Sequence, residues 1–368
     1  MSKKVSISPP STRRSRPNRD GQVGRPDSLV AGYRRYGRRG SGRQPYQVLG
    51  VIGIARIFFA VDVHGSVGVW QKWLRVPQFY KADVIMLCGD LTGKGMVPLV
   101  KEQRGYVTNY YGRRQVLKTE RDVVKMEEQI SMGGLYPIRC TEEEVQALQQ
   151  DPAKVESVLR GMIVARMEEW MEQLVSRVDL SKVTVMVMPG NDDDYAIDDV
   201  IKRYRDQGVL WPLDGPVEIA GFEVASLAHV NPTPWDTPRE ANEEELGKMI
   251  EKTVGQLSNP GRSIFNFHAP PYGTSLDLAP KLKPDLTPVM GPGGVETVHV
   301  GSQAVTEAIK RYRPLIGLHG HIHESAAHDR LDGVPVVNPG SEYGENVLRG
   351  VIVEVSKDGI ERFWRVEG

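Results

Sequence analysis

Two cysteines, Cys88 and Cys140, in a chain of 368 residues are too few for a disulfide framework and suit a reducing compartment. No run of ~20 apolar residues is present, so no stretch can cross a bilayer as a helix. The most apolar early stretch, Val48 to Val61, is interrupted by Arg56 and reads as a strand. No secretory signal is visible in the opening residues, and the chain is expected to be cytoplasmic, with no membrane partner. Net charge is also missing, at 47 basic against 47 acidic residues, but the balance is uneven. Residues 1–47 hold twelve Lys and Arg against Asp20 and Asp27, which leaves 35 basic and 45 acidic residues in the remainder.

That division predicts two regions. Residues 1–46 are rich in Arg, Ser, Gly and Pro without apolar periodicity, so they cannot bury enough surface to offset the entropy of ordering. They are expected to form a basic disordered arm: a solvated tail or, as the alternative, a contact for nucleic acid. Residues 47–368 alternate apolar runs with helical patterns, as an α/β domain does.

The runs end in chemistry. Ile57 to Val61 leads into Asp62-Val63-His64; Val84 to Cys88 leads into Gly89-Asp90; Val183 to Met188 leads into Pro189-Gly190-Asn191-Asp192; Ser263 to Phe267 leads into His268. Leu315 to Leu318 leads into His319-Gly320-His321-Ile322-His323, which places three of the eight histidines in five residues. Taken alone, that last stretch would also suit a His-rich surface loop. Repetition at the ends of successive strands favours a ligand edge, since open α/β sheets hold ligands at the carboxyl ends of their strands. Asp62 and His64, two apart on an extended chain, leave on one side and can share a metal.

Between these runs, Val67 to Tyr80 reads as a crossover helix, making the first two strands parallel neighbours. Residues 96–150 are the least regular folded part, with a hairpin expected about Gly112 as a local insertion. Ala153–Val178 and Glu243–Leu257 carry helical patterns, and Ser302 can cap a helix to Tyr312. Val217 to Val230 reads as two antiparallel strands about Ala220-Gly221. The Pro- and Gly-rich stretch from Thr274 to Gly294 is expected to form a rim, and Asp358-Gly359 to turn a final hairpin.

The ordered set D-x-H, G-D, G-N, a lone H and G-H-x-H resembles the calcineurin-like metallophosphoesterase superfamily, from Ala55 to the end of the chain. The resemblance implies a four-layer α/β/β/α sandwich over residues 47–368, with an inserted hairpin-helix segment at about 96–150. It implies two divalent metal ions: Asp62, His64 and His323 on one, Asn191, His268 and His321 on the other, and Asp90 bridging. Mixed nitrogen and oxygen ligands suit Mn, Fe or Zn better than calcium. Two carboxylates against two divalent cations leave a charge of roughly +2, so an anionic phosphate-ester substrate is expected. The implied activity is hydrolysis of a phosphodiester or nucleotide-type ester by a metal-bridging hydroxide, with Asp90 and Asp192 as catalytic residues and Asn191 and His319 as substrate contacts. The alternatives are a nuclease, using the basic arm on nucleic acid, and an interaction scaffold that keeps the fold.

Two departures from the superfamily's patterns bear on the chemistry. Gly89-Asp90-Leu91-Thr92-Gly93-Lys94-Gly95 lacks the Asp-Arg pair of the protein phosphatases, which disfavours a phosphoprotein substrate. Asp192 stands where the superfamily carries a histidine that assists the leaving group. A carboxyl beside two cations is held ionised, so Asp192 is expected not to protonate a leaving group.

Overall fold

The computed structural model of the chain describes residues 53–368; the basic arm read over residues 1–46 lies outside the described residues. Two six-stranded sheets dominate. In the first, the strands run in the order Gly359–Glu367, Arg349–Ser356, Ala55–Ala60, Val84–Cys88, Thr184–Met188 and Val209–Leu210. In the second, they run Ala327–Leu331, Val334–Asn338, Ile316–Leu318, Ile264–Phe267, Phe222–Leu227 and Val217–Ile219. The first has a parallel run that extends to its Val209–Leu210 edge and antiparallel strands at the other margin, and the second has a parallel centre with antiparallel strands at both margins. In the first, Ile57 lies opposite Val84 and Val84 opposite Thr184 in parallel register, while Ile57 also faces Val353 antiparallel. Parallel neighbours bring their carboxyl ends to one edge of the sheet.

The central strands are apolar over most of their length because both faces are covered. Alternate residues face opposite ways: Phe59, Met86 and Met186 join Val224, Ile264, Ile316 and Leu318 in the core between the sheets. Phe58, Ile85 and Val185 pack outward with Trp70, Trp73 and Trp170 from the helices Val67–Trp73 and Pro152–Arg177. The Trp70 and Trp170 rings stack at 4.6 Å, the Met and Trp stripe of the long helix being core. On the far side, Phe265, Phe267 and Val336 pack against the helices Glu243–Val254 and Gln303–Tyr312. The result is the four-layer α/β/β/α sandwich.

Several local expectations change. The crossover is two helices, Val67–Trp73 and Val76–Tyr80, because Pro77 has no amide to continue the first and suits the first turn of the second. The 96–150 segment is far more regular than its sequence. Strands Arg113–Leu117, Gly105–Tyr110, Met96–Glu102 and Tyr136–Cys140 form a four-stranded sheet in that order. Helix Glu120–Met132 packs on it through Val123, Met126 and Ile130, with Thr119 and Asp122 in a reciprocal cap. The hairpin about Gly112 is present within that sheet. The Thr274–Gly294 rim belongs to a folded excursion in which Leu278–Pro280 pairs with Thr297–His299 and Met290–Gly291 with Gly294–Val295. No helix among the described residues is long and apolar enough to cross a membrane.

Candidate metal centre

Backbone hydrogen bonds stitch the strand-end loops together before any side chain is considered. The Asp62 amide donates to the Gly89 carbonyl at 3.0 Å, the His64 amide to Asp90 at 2.9 Å and the Gly89 amide to Met188 at 2.8 Å, tying the three loops of the first sheet. In the second sheet the Gly320 amide donates to the His268 carbonyl at 3.1 Å. Asp62 ties the two sheets together: the His321 amide donates to Asp62 Oδ2 at 2.9 Å, and the Ser341 hydroxyl donates to the Asp62 carbonyl at 2.6 Å.

Asp62, His64, Asp90 and His321 adopt φ of 54°, 40°, 43° and 71°. A left-handed backbone costs a residue with a β-carbon about 1–2 kcal/mol, and such strain collects at functional sites. The motif glycines answer to close approach. A β-carbon on Gly89 would stand 2.1 Å from His268 Nδ1, and one on Gly190 would stand 2.2 Å from the Asp90 amide nitrogen.

The side chains meet in two overlapping groups. Asp62, His64, Asp90 and His323 bring one ligand atom each to within 4.8 Å of one another, as do Asp90, His268 and His321. Asp90 belongs to both. His64 Nε2 lies 3.6 Å from Asp90 Oδ2 and 3.0 Å from His323 Nε2; His268 Nε2 lies 3.5 Å from Asp90 Oδ2 and 3.6 Å from Asp62 Oδ1. Asn191 joins from the third strand-end loop. Its amide nitrogen donates to Thr237 Oγ1 at 2.8 Å, and that hydroxyl donates to Glu240 Oε1 at 2.6 Å, so the Asn191 side-chain oxygen is left over.

Asp62 Oδ1, Asn191 Oδ1 and His268 Nε2 are buried without a hydrogen-bond partner. Each orphan costs about 1–3 kcal/mol unless something satisfies it. Lone pairs of carboxylate, amide and imidazole gathered in one place fit divalent cations of the Mn, Fe or Zn type. Three of the imidazoles are held in the neutral form that a metal ligand requires. Burial lowers His321 to about 3 and His323 to about 4, keeping both imidazoles neutral, and lowers His64 well below its ordinary value. Burial also raises Asp62 to about 7, against the pull of His268. For Asp90, burial pushes up but His268, His64 and Lys94 outweigh it and hold the carboxyl below its usual range. Burial opposes protonation of His268, yet Asp90 and Asp62 beside it raise its pKa.

The remaining expectations divide. Asp192 borders the centre: its amide donates to Asp90 Oδ1 at 3.0 Å and its carboxylate is in contact with the half-exposed Lys94 ammonium. His319 is not aimed at the centre. It is wholly buried, and its Nδ1–H is shared between the Phe267 and Ala269 carbonyls at 2.9 Å each, so the substrate contact expected of it is withdrawn. A β-carbon on Gly320 would stand 2.9 Å from Asp62 Oδ2. His229, His299 and His328 lie outside both groups.

Some supporting residues give no such signal in sequence. Asp193 is fully buried and accepts from the Leu91, Thr92 and Gly190 amides and the Thr92 hydroxyl, locking the G-D loop to the G-N loop. In a run of three acids after Asn191, nothing marks which one turns inward. Arg239, also buried, donates to the Gly190 and Asp193 carbonyls and pairs with Asp198 at 2.6 Å. Asn338 donates to the Ile322 carbonyl at 2.9 Å and accepts from the Gly340 amide at 2.8 Å, fixing the turn that carries His321 and His323.

No protein-family model matches the chain. An uncharacterized protein of Methanocaldococcus jannaschii is 30% identical over 175 residues, which span 46% of this chain and 69% of that protein. One crystal structure is 16% identical at a TM-score of 0.52, over 86% of this chain and 99% of its own, a likeness of fold. A structure from Thermus thermophilus is 14% identical at a TM-score of 0.46, over 81% and 94% of the two chains. A dimetal phosphatase of Danio rerio is 7% identical at a TM-score of 0.38, over 85% and 98%. The chain belongs to the family of the Methanocaldococcus jannaschii protein, and its five motifs, in order at the edge of two packed sheets, resemble those of the calcineurin-like metallophosphoesterase superfamily.

Proposed function

We propose that this chain is a divalent-metal-dependent phosphoesterase acting on phosphodiesters or nucleotide-type phosphate esters. The observation that carries the reading is the pair of ligand groups that share Asp90, with orphaned acceptor atoms of Asp62, Asn191 and His268 buried among them. Asp62, His64 and His323 would hold one ion, Asn191, His268 and His321 the other, and Asp90 both. Two such ions polarise phosphoryl oxygens and acidify a water at neutral pH. The protein's part is to fix the ligands. Asp193 sets Asp90 and Asn191 in register, Thr237 turns the Asn191 oxygen inward, and Asp62 is held by the His321 amide. Asp192, engaged by Lys94, is a poor proton donor, so the departing oxygen has to leave largely as an anion. Good leaving groups are favoured accordingly.

The test is to strip the protein of metal and reconstitute it separately with Mn²⁺, Zn²⁺ and Fe²⁺. Turnover of bis(p-nitrophenyl) phosphate and p-nitrophenyl phosphate is then measured beside metal content. Activity that returns with two bound ions per chain supports the reading. Two bound ions with no turnover of any ester would favour the scaffold, and no specific binding would remove the metal centre.

A further inference from the structure

The insertion does more than decorate the sheet edge, because its turns lie against the candidate centre. The Ser66 hydroxyl donates to the Met132 carbonyl at 2.6 Å, and Arg166 donates to the carbonyls of both Gly65 and Leu135. A β-carbon on Gly134 would stand 2.3 Å from the His64 carbonyl oxygen and 3.4 Å from the Tyr343 ring. Tyr343 is 4.8 Å from the His64 ring and 5.9 Å from that of His323, centroid to centroid.

The hairpin tip belongs to the same neighbourhood. A β-carbon on Gly133 would stand 3.1 Å from the Tyr110 hydroxyl and 3.9 Å from the Tyr111 hydroxyl.

Tyr111 is an unexpected residue for its place. Tyr110 pairs with Arg113, so Tyr111 and Gly112 form a two-residue turn, with φ of 48° and 70°. Turns with both central residues at positive φ favour Asn-Gly, and a bulky side chain at the first position is a conformational outlier. Burial does not offset that cost, since Tyr111 is 46% exposed while its neighbour Tyr110 is buried. An observed backbone outlier with an exposed ring beside a reactive centre is grounds for inferring function.

We infer that Tyr111 and Tyr343 form an aromatic shelf, on the His64 and His323 flank of the centre, that stacks the flat base of a nucleotide-type substrate. The inference rests on the phosphoesterase reading above and names its substrate class. An aromatic platform accepts any base, because every base has a π-face. Stacking of that kind is worth about tenfold to a hundredfold in affinity.

The experiment uses the full chain loaded with metal and two non-hydrolysable probes sharing one anionic head, α,β-methylene-ADP and methylenediphosphonate. Affinities come from calorimetry, and contact with the base comes from saturation-transfer NMR. The wild type is expected to bind the nucleotide analogue at least about tenfold more tightly, with transfer to the base protons. Tyr111→Asn suits the turn, so it is expected to keep the melting temperature and metal content while erasing the preference; Tyr111→Phe retains it. Equal affinities in the wild type, or a preference that survives in Tyr111→Asn, would overturn the shelf. If phosphate esters are turned over without base preference, only the shelf fails. If neither probe binds and no ester is turned over, the phosphoesterase reading fails and takes the shelf with it.

Discussion

The two sheets bring unequal chemistry to the centre. Loops of the first supply both carboxylates, Asp62 and Asp90, with the Asn191 amide and one imidazole, His64. Loops of the second supply His268, His321 and His323 and no carboxylate. One half carries the charge that attracts a cation, and the other carries most of the neutral donors that complete its shell. Strain divides the same way, with three of the four left-handed candidate ligands in the first half. Neither sheet alone holds either group of ligands, because His323 completes the first group and Asp90 the second. The site is therefore a consequence of sheet packing, and the core of Phe59, Met86, Met186, Ile264 and Leu318 between the sheets is part of what makes it.

The residue that spans this division is the most sensitive place to break it. Asp90→Ala is expected to release both ions and lower turnover by more than a hundredfold, since losing even an outer-shell partner costs about 10–100-fold. Metal content after reconstitution checks it, and retention of one ion at full affinity would show that Asp90 is not shared. Asp193→Ala strikes the first half alone. It leaves the buried Leu91, Thr92 and Gly190 amides without their acceptor, a loss of about 3 kcal/mol or more by denaturant unfolding. Metal affinity should fall about 10–100-fold with it. Asn338→Ala is the counterpart in the second half. It removes the donor to Ile322 and the acceptor of Gly340, for about 1–3 kcal/mol, and should weaken the binding of both ions, since His323 would hold one and His321 the other.

The smallest effect is expected at Asp192, a border residue that neither group contains. With its carboxylate engaged by Lys94, Asp192→Asn should cost well under the ~10²–10⁴-fold attributed to positioned acid–base catalysis. A leaving-group series on wild type and variant checks it. A hundredfold loss confined to poor leaving groups would make Asp192 the general acid.

The first half was the more legible in sequence. Residues 57–60, 84–88 and 185–188 are buried on both faces, so each is a continuous apolar run that leads to its ligand motif. The His-rich run marked the second half, but spacing alone could not separate His319, turned into the wall, from His321, turned to the centre; that depends on the φ of 71° at His321. Asp193, Thr237 and Asn338 escaped a functional reading because each acts through backbone atoms or another side chain, with partners up to 102 residues away in sequence. The insertion was hardest to read. Its strand Tyr136–Cys140 carries Pro137 and Arg139, and its sheet is covered on one face by a single helix, so the alternation that marks a strand is diluted.

Anomalous diffraction from crystals of the full chain soaked in Mn²⁺ tests the central claim most directly. The account predicts two peaks, one among Asp62, His64 and His323 and one among Asn191, His268 and His321, both within coordinating distance of Asp90. A single peak, or two peaks that do not share Asp90, would contradict it.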